Sequence, residues 1–342
     1  MIVDLKTKKE LWDLFTKKEE YNPEFLDTFK RFSYHFSKHR NVLEPEVSRQ
    51  IVSKGLEFRY PDNKRFAVCL THDIDEIRYK KINLIKAFIK SIEKNEIKRA
   101  VKILAANIDR KISPICNMKK TMELENRYDA KSSFYFLALE RGEPDYNFNV
   151  SEIKDELRYI KNSGWEIGLH GGHQAYADYD KLIKEKEKLE AAVQDEVIGY
   201  RNHYLKIKIP YTWEILAKAG FKYDTTLGYV DCIGFRNGMC HPFKPFNLNT
   251  NAYIDILEIP LVIMDATLIR YLLLDYKTSW EIIKKIINTV AELNGVITIL
   301  WHNIYMFDEM LELYEMILKY CSEQKAWMTS AQEIYSWWKN NY

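Results

Sequence analysis

The chain has 342 residues, of which 46% are hydrophobic and 29% are charged, with 51 basic and 49 acidic side chains. A formal net charge of +2 excludes a strongly basic nucleic-acid-binding protein, and the hydrophobic share excludes a disordered chain. No apolar run reaches the roughly 20 residues that a membrane-spanning helix needs. The composition therefore indicates a globular protein of one large domain, with or without a small appendage.

The start of the chain, MIVDLKTKKELWDLF, carries charges but no apolar core, so it differs from a secretory signal. The five cysteines lack the CxxC spacing of metal sites. Reduced thiols and a cytoplasmic location are the expectation. Cys232 and Cys240 are near enough in sequence to pair, although that compartment argues against a disulfide.

Residues 1–61 are polar and helical in pattern, and they predict an extension or cap. Seven short runs of apolar, β-branched or aromatic residues then predict strands, at 65–71, 132–138, 165–170, 196–200, 253–260, 295–301 and 325–329. Helices are predicted between them, at 151–163, 212–219 and 278–294. Thr278 and Glu281 suggest a capping box for the last helix, and Gly295 suggests its end. This alternation is typical of parallel βαβ units, closed into a barrel or wound as an open sheet.

A long helical insertion is predicted at 78–120, where 13 basic residues stand against three acidic ones. Isoleucines at 82, 85, 89 and 92 keep a helical spacing. The favoured interpretation is a solvated basic face packed on the barrel. The alternative is peripheral contact with an anionic membrane or a lipid-linked glycan. Nucleic-acid binding is not predicted, because the segment lacks interleaved aromatic residues and a reader motif.

Two carboxylates, Asp73 and Asp75, follow the apolar run that ends at Leu70. Because like charges this close raise the pKa of one of them, the pair favours one carboxylate on a metal and the other as a base. Two loop aspartates that cap the next helix are the alternative. His170 and His173 flank two glycines after the run WEIGL, and this pattern favours a divalent metal with N and O ligands. A histidine held in a tight turn by the backbone is the alternative there.

Arg201 and His302 follow two further predicted strands, in GYR and LWHN. An arginine beside a carboxylate site orients a base, and a histidine at a strand end is a candidate general acid. A structural salt bridge and a histidine satisfied by the backbone are the alternatives. Since the carboxyl ends of parallel strands meet at one end of such folds, the four segments predict a single site.

Taken together, LTHDID, EIGLH, GYR and LWHN resemble the first, second, third and fifth motifs of the polysaccharide deacetylases of the NodB-homology type, carbohydrate esterase family four. The resemblance covers roughly residues 62–342. The segments GFKYDTTLGYVDCIGFRNGMCHPF and LEIPLVIMDATL are similar to a bacterial subgroup associated with surface polysaccharides. The resemblance implies an α/β fold, a distorted (β/α)7 barrel, with the N-terminal extension and the helical insertion outside the barrel.

The resemblance also implies roles for individual residues. Asp73 is expected as the catalytic base, Asp75 and His170 as metal ligands, Arg201 as the orienting residue and His302 as the general acid. The implied reaction is N-acetyl removal from an amino sugar of a bacterial surface glycan or its precursor.

Two residues depart from the family's pattern. The family places its second metal-binding histidine four residues after the first, where this chain has Gln174, so the nearer His173 is expected as the third ligand. Asp224, in KYDTT, is expected to replace the carboxylate that supports the arginine. Zn²⁺ is the default ion for such a site, with Co²⁺ or Mn²⁺ as substitutes.

Two other functions stay open at this stage. The imperfect second motif also fits an inactive relative that binds glycan through the same cleft, and metal content would separate the two. A metal-dependent hydrolase of another bond, such as a formamide or a non-sugar amide, would be recognised by its product. The sequence leaves the oligomeric state open.

Overall fold

A computed structural model describes residues 5–78 and 115–342, with isolated positions between them (85, 88, 89, 91–93, 95, 97, 101 and 113). The strands are β1 (Ala67–Ile74), β2 (Ser133–Leu137), β3 (Glu166–Gly171), β4 (Gly199–Asn202), β5 (Tyr223–Asp224), β6 (Phe246–Asn247), β7 (Ala252–Tyr253), β8 (Leu257–Glu258), β9 (Leu261–Met264), β10 (Val296–Leu300) and β11 (Trp327–Thr329).

Within the described residues, one parallel sheet has the order β8-β5-β4-β3-β2-β1-β10-β9, and β11 pairs with the first half of β1. Strands β6 and β7 form a separate antiparallel pair. The sheet curls, and its two edge strands, β8 and β9, are separated in sequence only by Ile259 and Pro260. This arrangement confirms the predicted distorted (β/α)7 barrel.

Helices flank the sheet: α1 (Lys9–Phe15), α2 (Glu46–Val52), α3 (Met118–Asn126), α4 (Lys154–Asn162), α5 (Tyr179–Val193), α6 (Tyr211–Lys218), α7 (Tyr276–Glu292), α8 (Asp308–Glu323) and α9 (Ala331–Asn341). Every residue of β1 is buried, as expected for a central strand covered on both faces. Helix α7 turns Ile283, Ile286, Ile287 and Val290 into the core, each at most 1% exposed. The three- to four-residue spacing of these side chains places them on one helix face.

The ends of the helices correct part of the sequence analysis. The cap of α7 is Asp275, which accepts a hydrogen bond from the Thr278 backbone N–H (2.7 Å). At its other end Asn294, not Gly295, takes the left-handed conformation, with φ 48°. The predicted strand 253–260 is two short strands, β7 and β8, and β9 follows it.

The N-terminal extension is less helical than predicted, because only α1, α2 and short 3₁₀ turns lie in it among the described residues. It packs into the barrel's own core. The backbone N–H of Val47 bonds to Gly238 O (3.0 Å), and the Phe15 ring packs against Phe243. The division at residue 61 therefore marks a change of pattern in the sequence and not a gap in packing.

The basic insertion 78–120 lies largely outside the described residues, so its contact with a membrane or a lipid-linked glycan stays a prediction. All five cysteines are free, in agreement with the expected reduced thiols. Among the described residues, no helix combines the length and the apolar character that crossing a bilayer requires.

Candidate metal centre and catalytic cleft

The predicted polar residues meet at one end of the sheet. Asp73 is the second-last residue of β1, His170 lies on β3 and pairs in register with Arg201 on β4, and His302 follows β10. Asp73, Asp75, His170 and His302 line one cleft of about 300 Å³. The rule that parallel strands present their carboxyl ends at one edge thus brings together residues more than 200 positions apart.

Three donor atoms form a compact triangle in this cleft. His170 Nε2 lies 3.0 Å from His203 Nδ1 and 3.2 Å from Asp75 Oδ1, and His203 Nδ1 lies 3.5 Å from the same oxygen. Donors bound about 2.0–2.2 Å from one ion at tetrahedral angles lie roughly 3.3–3.6 Å from each other. Moreover, Asp75 Oδ1 is buried without a hydrogen-bond partner in the described residues. The donor set therefore fits a divalent cation.

In both imidazoles, the ring nitrogen that faces away from the triangle has a hydrogen-bond partner. His170 Nδ1 faces the carbonyl of Arg201 at 3.1 Å, which leaves Nε2 for the triangle. His203 Nε2 faces Asp145 Oδ2 at 3.4 Å, and the same oxygen accepts from the Tyr204 hydroxyl at 3.1 Å. Such outer partners fix the orientation of metal-binding histidines.

His173 lies beside this triangle rather than in it. Its Nε2 is 2.9 Å from Asp145 Oδ2, so it belongs to a second group formed with Asp145 and His203. Strand β3 ends at Gly171, and the turn that follows directs His173 toward Asp145. His203 stands two residues after Arg201, directly after the end of β4 at Asn202, and there its ring lies next to His170.

The two histidines of the triangle differ in their electrostatics: burial would lower the pKa of His170, but Asp73 and Asp75 together raise it above its usual value. Burial would raise the pKa of Asp75, but His203, His170 and His302 together hold it well below its usual range. Burial lowers the pKa of His203, and the neighbouring carboxylates do not offset this. A neutral imidazole beside an ionised carboxylate is the form in which both groups bind a metal.

Asp73 is held by a buried arginine. Arg201 Nη1 donates to Asp73 Oδ1 at 3.2 Å and to Thr71 Oγ1 at 2.7 Å, while its Nε donates to the Thr225 carbonyl at 3.2 Å. Both charged side chains are at most 2% exposed. Removing one partner of such a pair leaves a charge buried alone, which costs about 3–5 kcal/mol.

The structure gives Asp224 different partners from those expected. Its carboxylate accepts from the Thr226 hydroxyl and backbone N–H, and burial raises its pKa to about 6. The hydrogen bonds of Arg201 in the described chain run to other residues. Support of Arg201 by Asp224 therefore stays a prediction, as an electrostatic effect without a hydrogen bond.

His302 is oriented by a carboxylate that the sequence analysis missed. Asp265, directly after β9, accepts from the His302 backbone N–H (2.6 Å) and faces its Nδ1 (2.7 Å). The other ring nitrogen, Nε2, points into the cleft, 3.8 Å from Asp75 Oδ2. Burial lowers the pKa of His302, but Asp265, Asp75 and Asp73 together raise it to about 9.

The two glycines of the His170 segment have a different role from the one expected. Neither has a positive φ, so unusual backbone angles do not explain them. Glycine is required because neighbouring side chains leave no room for a Cβ atom at these positions. A Cβ on Gly172 would lie 2.6 Å from Leu139 Cδ2 and 2.7 Å from Glu185 Oε1, and the Gly172 N–H donates to Glu185 Oε2 (2.7 Å).

The residues missed in the sequence carried weak signals. His203 and Asp265 each stand at or just after a strand end, so the rule that located Arg201 and His302 also applies to them. Asp265 was hidden because β9 was not recognised as a separate strand. Asp145 follows no predicted strand, and nothing in its local sequence points to His203.

Comparison with known proteins agrees with this fold. No family model and no curated protein matches the chain. Among solved structures, a probable polysaccharide deacetylase from Pseudomonas aeruginosa PAO1 is similar with a TM-score of 0.57 and 12% identity, over 94% of this chain and 99% of that one. A predicted polysaccharide deacetylase from Mycobacterium smegmatis has a TM-score of 0.56 and 16% identity, over 83% and 93%. PuuE allantoinase has a TM-score of 0.59 and 13% identity, over 94% and 98%.

Proposed function

The chain has the fold of the polysaccharide deacetylases, and we propose that it is a divalent-metal-dependent hydrolase that removes N-acetyl groups from amino sugars of a surface glycan or its precursor. One observation carries the proposal. The donor triangle of Asp75, His170 and His203 lies between two charged pairs, Asp73–Arg201 and His302–Asp265, in one cleft. Amide hydrolysis needs a base for water, polarisation of the carbonyl and an acid for the leaving nitrogen, and these groups supply all three.

We assign the ion to Asp75, His170 and His203, with His203 in the place predicted for His173. These residues would hold a divalent ion, with Zn²⁺ as the default, which would supply polarisation of the amide carbonyl and a lower pKa for water. Asp73 accepts the proton of the attacking water, and Arg201 fixes its carboxylate in place. The backbone near Tyr204, which lines the cleft, supplies an N–H to the developing oxyanion.

His302 completes the reaction as the general acid. As the C–N bond breaks, its Nε2–H passes the proton to the departing sugar nitrogen, while Asp265 holds Nδ1–H. A raised pKa keeps the ring protonated at neutral pH, which is the state that a general acid requires. The products are acetate and the free amino sugar.

The direct test is acetate release from N-acetylated chito-oligosaccharides, measured by proton NMR. We expect acetate with the metal-loaded protein, loss of activity after removal of the metal by a chelator, and recovery on adding Zn²⁺, Co²⁺ or Mn²⁺. The His302→Ala variant serves as the matched control, because it should bind metal yet lose turnover by ~10²–10⁴. Acetate release that is unaffected by complete metal removal would contradict the proposal.

The similarity to PuuE allantoinase favours a second function, because that enzyme has the same fold but is named for a different activity. The same acid, base and metal set would hydrolyse another amide, such as a formamide on a sugar. Formate in place of acetate, with the same dependence on metal and His302, would assign this alternative. A protein that binds glycan with no metal and no product would be the inactive relative.

A further inference from the structure

A second cavity adjoins the catalytic cleft on the side of the N-terminal extension. Its volume is about 330 Å³, and it shares Arg31, Leu205, Val230 and Tyr271 with the cleft. Side chains from residues 27–35 form its other wall. A substrate that places its amide at the donor triangle and extends toward this cavity therefore passes Arg31.

Arg31 is fixed in position and nearly buried, at 7% exposure. Its Nε donates to Asp27 Oδ2 at 2.7 Å, and its Nη1 makes a longer contact with the Tyr204 carbonyl at 3.4 Å. Asp27 is itself fixed by the backbone N–H groups of Phe29 and Arg31, both at 2.9 Å. Nη2 has no hydrogen-bond partner in the described part of the chain. Since Nη2 is not one of the buried atoms that lack a partner, it is open to solvent, and a ligand atom can reach it from the cavity.

A second guanidinium, that of Arg270, also lines the catalytic cleft. Arg270 lies over the Tyr305 ring, 5.2 Å from its centre, and forms no ion pair with a described carboxylate. Of the two carboxylates that line the second cavity, Asp27 pairs with Arg31, and Asp231 accepts hydrogen bonds from the Ser33 hydroxyl and the Tyr34 backbone N–H, so neither is paired with Arg270.

Four acidic residues line the cleft, Asp73, Asp75, Glu76 and Asp145, and the three aspartates face other partners. Asp73 is paired with Arg201, Asp75 belongs to the donor triangle, and Asp145 faces His203. They lie with the catalytic groups rather than beside Arg31. An anion near Arg31 would therefore meet donors that are not already neutralised by these carboxylates.

We propose that Arg31 and Arg270 form an anion subsite beside the reacting amide, which binds a phosphate or carboxylate group carried by the amino-sugar substrate. This inference rests on the proposed function for the identity of the sugar. Guanidinium groups bind both kinds of oxyanion through paired N–H donors, so the two sources share one chemistry. The N-terminal extension thereby acts as a determinant of substrate choice.

The test compares three ligands: neutral N,N′-diacetylchitobiose, N-acetylglucosamine 1-phosphate, and a disaccharide of N-acetylglucosamine and glucuronic acid. Binding by calorimetry and acetate release are both measured, for the wild type and for Arg31→Gln, Arg270→Gln and Arg40→Gln. Arg40 is the matched control, because it is an exposed arginine of the same extension that bonds to backbone carbonyls of Tyr34 and His35. Arg270→Gln guards against misfolding, since Arg270 is exposed and has no ion pair.

A charge-assisted hydrogen bond of about 1.5–3 kcal/mol predicts a preference for one anionic ligand over the neutral one of roughly 10- to 150-fold. We expect Arg31→Gln and Arg270→Gln each to reduce this ratio, Arg40→Gln to leave it unchanged, and added salt to weaken it. The anionic ligand that is preferred identifies the source.

Two results overturn the subsite. They are equal binding of neutral and anionic ligands by the wild type, and an anion preference that survives in both arginine variants, which would assign the anion to the metal. Failure of the proposed function is distinct: anionic ligands would then bind in an Arg31-dependent manner without any release of acetate.

Discussion

Replacing Asp265 by Asn tests whether His302 works through its carboxylate. In the structure the two oxygens of Asp265 face three donors, the His302 backbone N–H at 2.6 Å, its Nδ1–H at 2.7 Å and the Ala266 backbone N–H at 2.5 Å. An amide has only one acceptor oxygen, so one of these contacts becomes donor against donor. If the amide NH₂ faces Nδ1, the proton moves to Nε2 in the neutral ring and the imidazolium loses its partner.

The magnitude follows from the contact that is lost. A hydrogen bond to a charged group is worth about 1.5–3 kcal/mol, which corresponds to a roughly 10- to 150-fold lower kcat. If the substitution enforces the wrong tautomer of the His302 ring, the loss in kcat extends toward ~10⁴-fold. Metal content and KM should change little, because Asp265 contacts none of the three proposed ligands within hydrogen-bond distance.

The assay is steady-state acetate release by Asp265→Asn, His302→Ala and the double variant. Because Asp265 acts through His302, the double variant should be no slower than His302→Ala. Asp275→Asn is the control for the substitution itself, since Asn caps a helix about as well as Asp. A kcat of Asp265→Asn within about threefold of the wild type, or additive losses in the double variant, would refute the assignment.

Three further predictions follow from buried groups. Asp73→Asn should retain the metal and lose kcat by ~10²–10⁴, and normal turnover would remove the proposed base. Burial lowers the pKa of His241 from 6.5 to about 4 in the folded protein. As pH drops, the unfolded state therefore binds this proton before the folded state does. The free energy of unfolding should fall by about 3 kcal/mol between pH 6.5 and pH 4. Urea titrations should show this loss reduced in His241→Asn, and an unchanged slope would exclude His241 as its source. Gly172→Ala should lower the free energy of unfolding by about 1–3 kcal/mol, because the added Cβ overlaps Leu139 and Glu185. A melting temperature equal to that of the wild type would show that these neighbours move aside at little cost.

Much of the site was predictable from the sequence because one topological rule governs it. Asp73, Asp75, His170, Arg201 and His302 lie at the ends of four apolar runs, with Asp73 and Asp75 after the same run, and the parallel order of the strands brings these ends together. The apolar runs themselves were recognisable because the strands are buried on both faces. Neither inference needs the direction of a side chain.

The remaining residues depend on side-chain direction, which spacing alone does not give. His173 was preferred over His203 because it stands near His170 in sequence, yet the turn after Gly171 directs it to Asp145. The predicted run ends at 260, so the short strand β9 was not predicted, and this concealed Asp265. The glycine pair was attributed to backbone angles, whereas neighbouring side chains require the space.

Metal binding by a matched pair of variants tests the central claim most directly. Purified wild type, His203→Ala and His173→Ala are stripped of metal and titrated with Co²⁺, whose visible spectrum reports the ligands. We expect one ion per chain for the wild type and for His173→Ala, with affinity in the latter reduced by at most ~10–100-fold through Asp145, and no ordered site in His203→Ala. A wild type that binds no ion, or an unchanged spectrum and affinity in His203→Ala, would contradict the metal centre proposed at the end of this sheet.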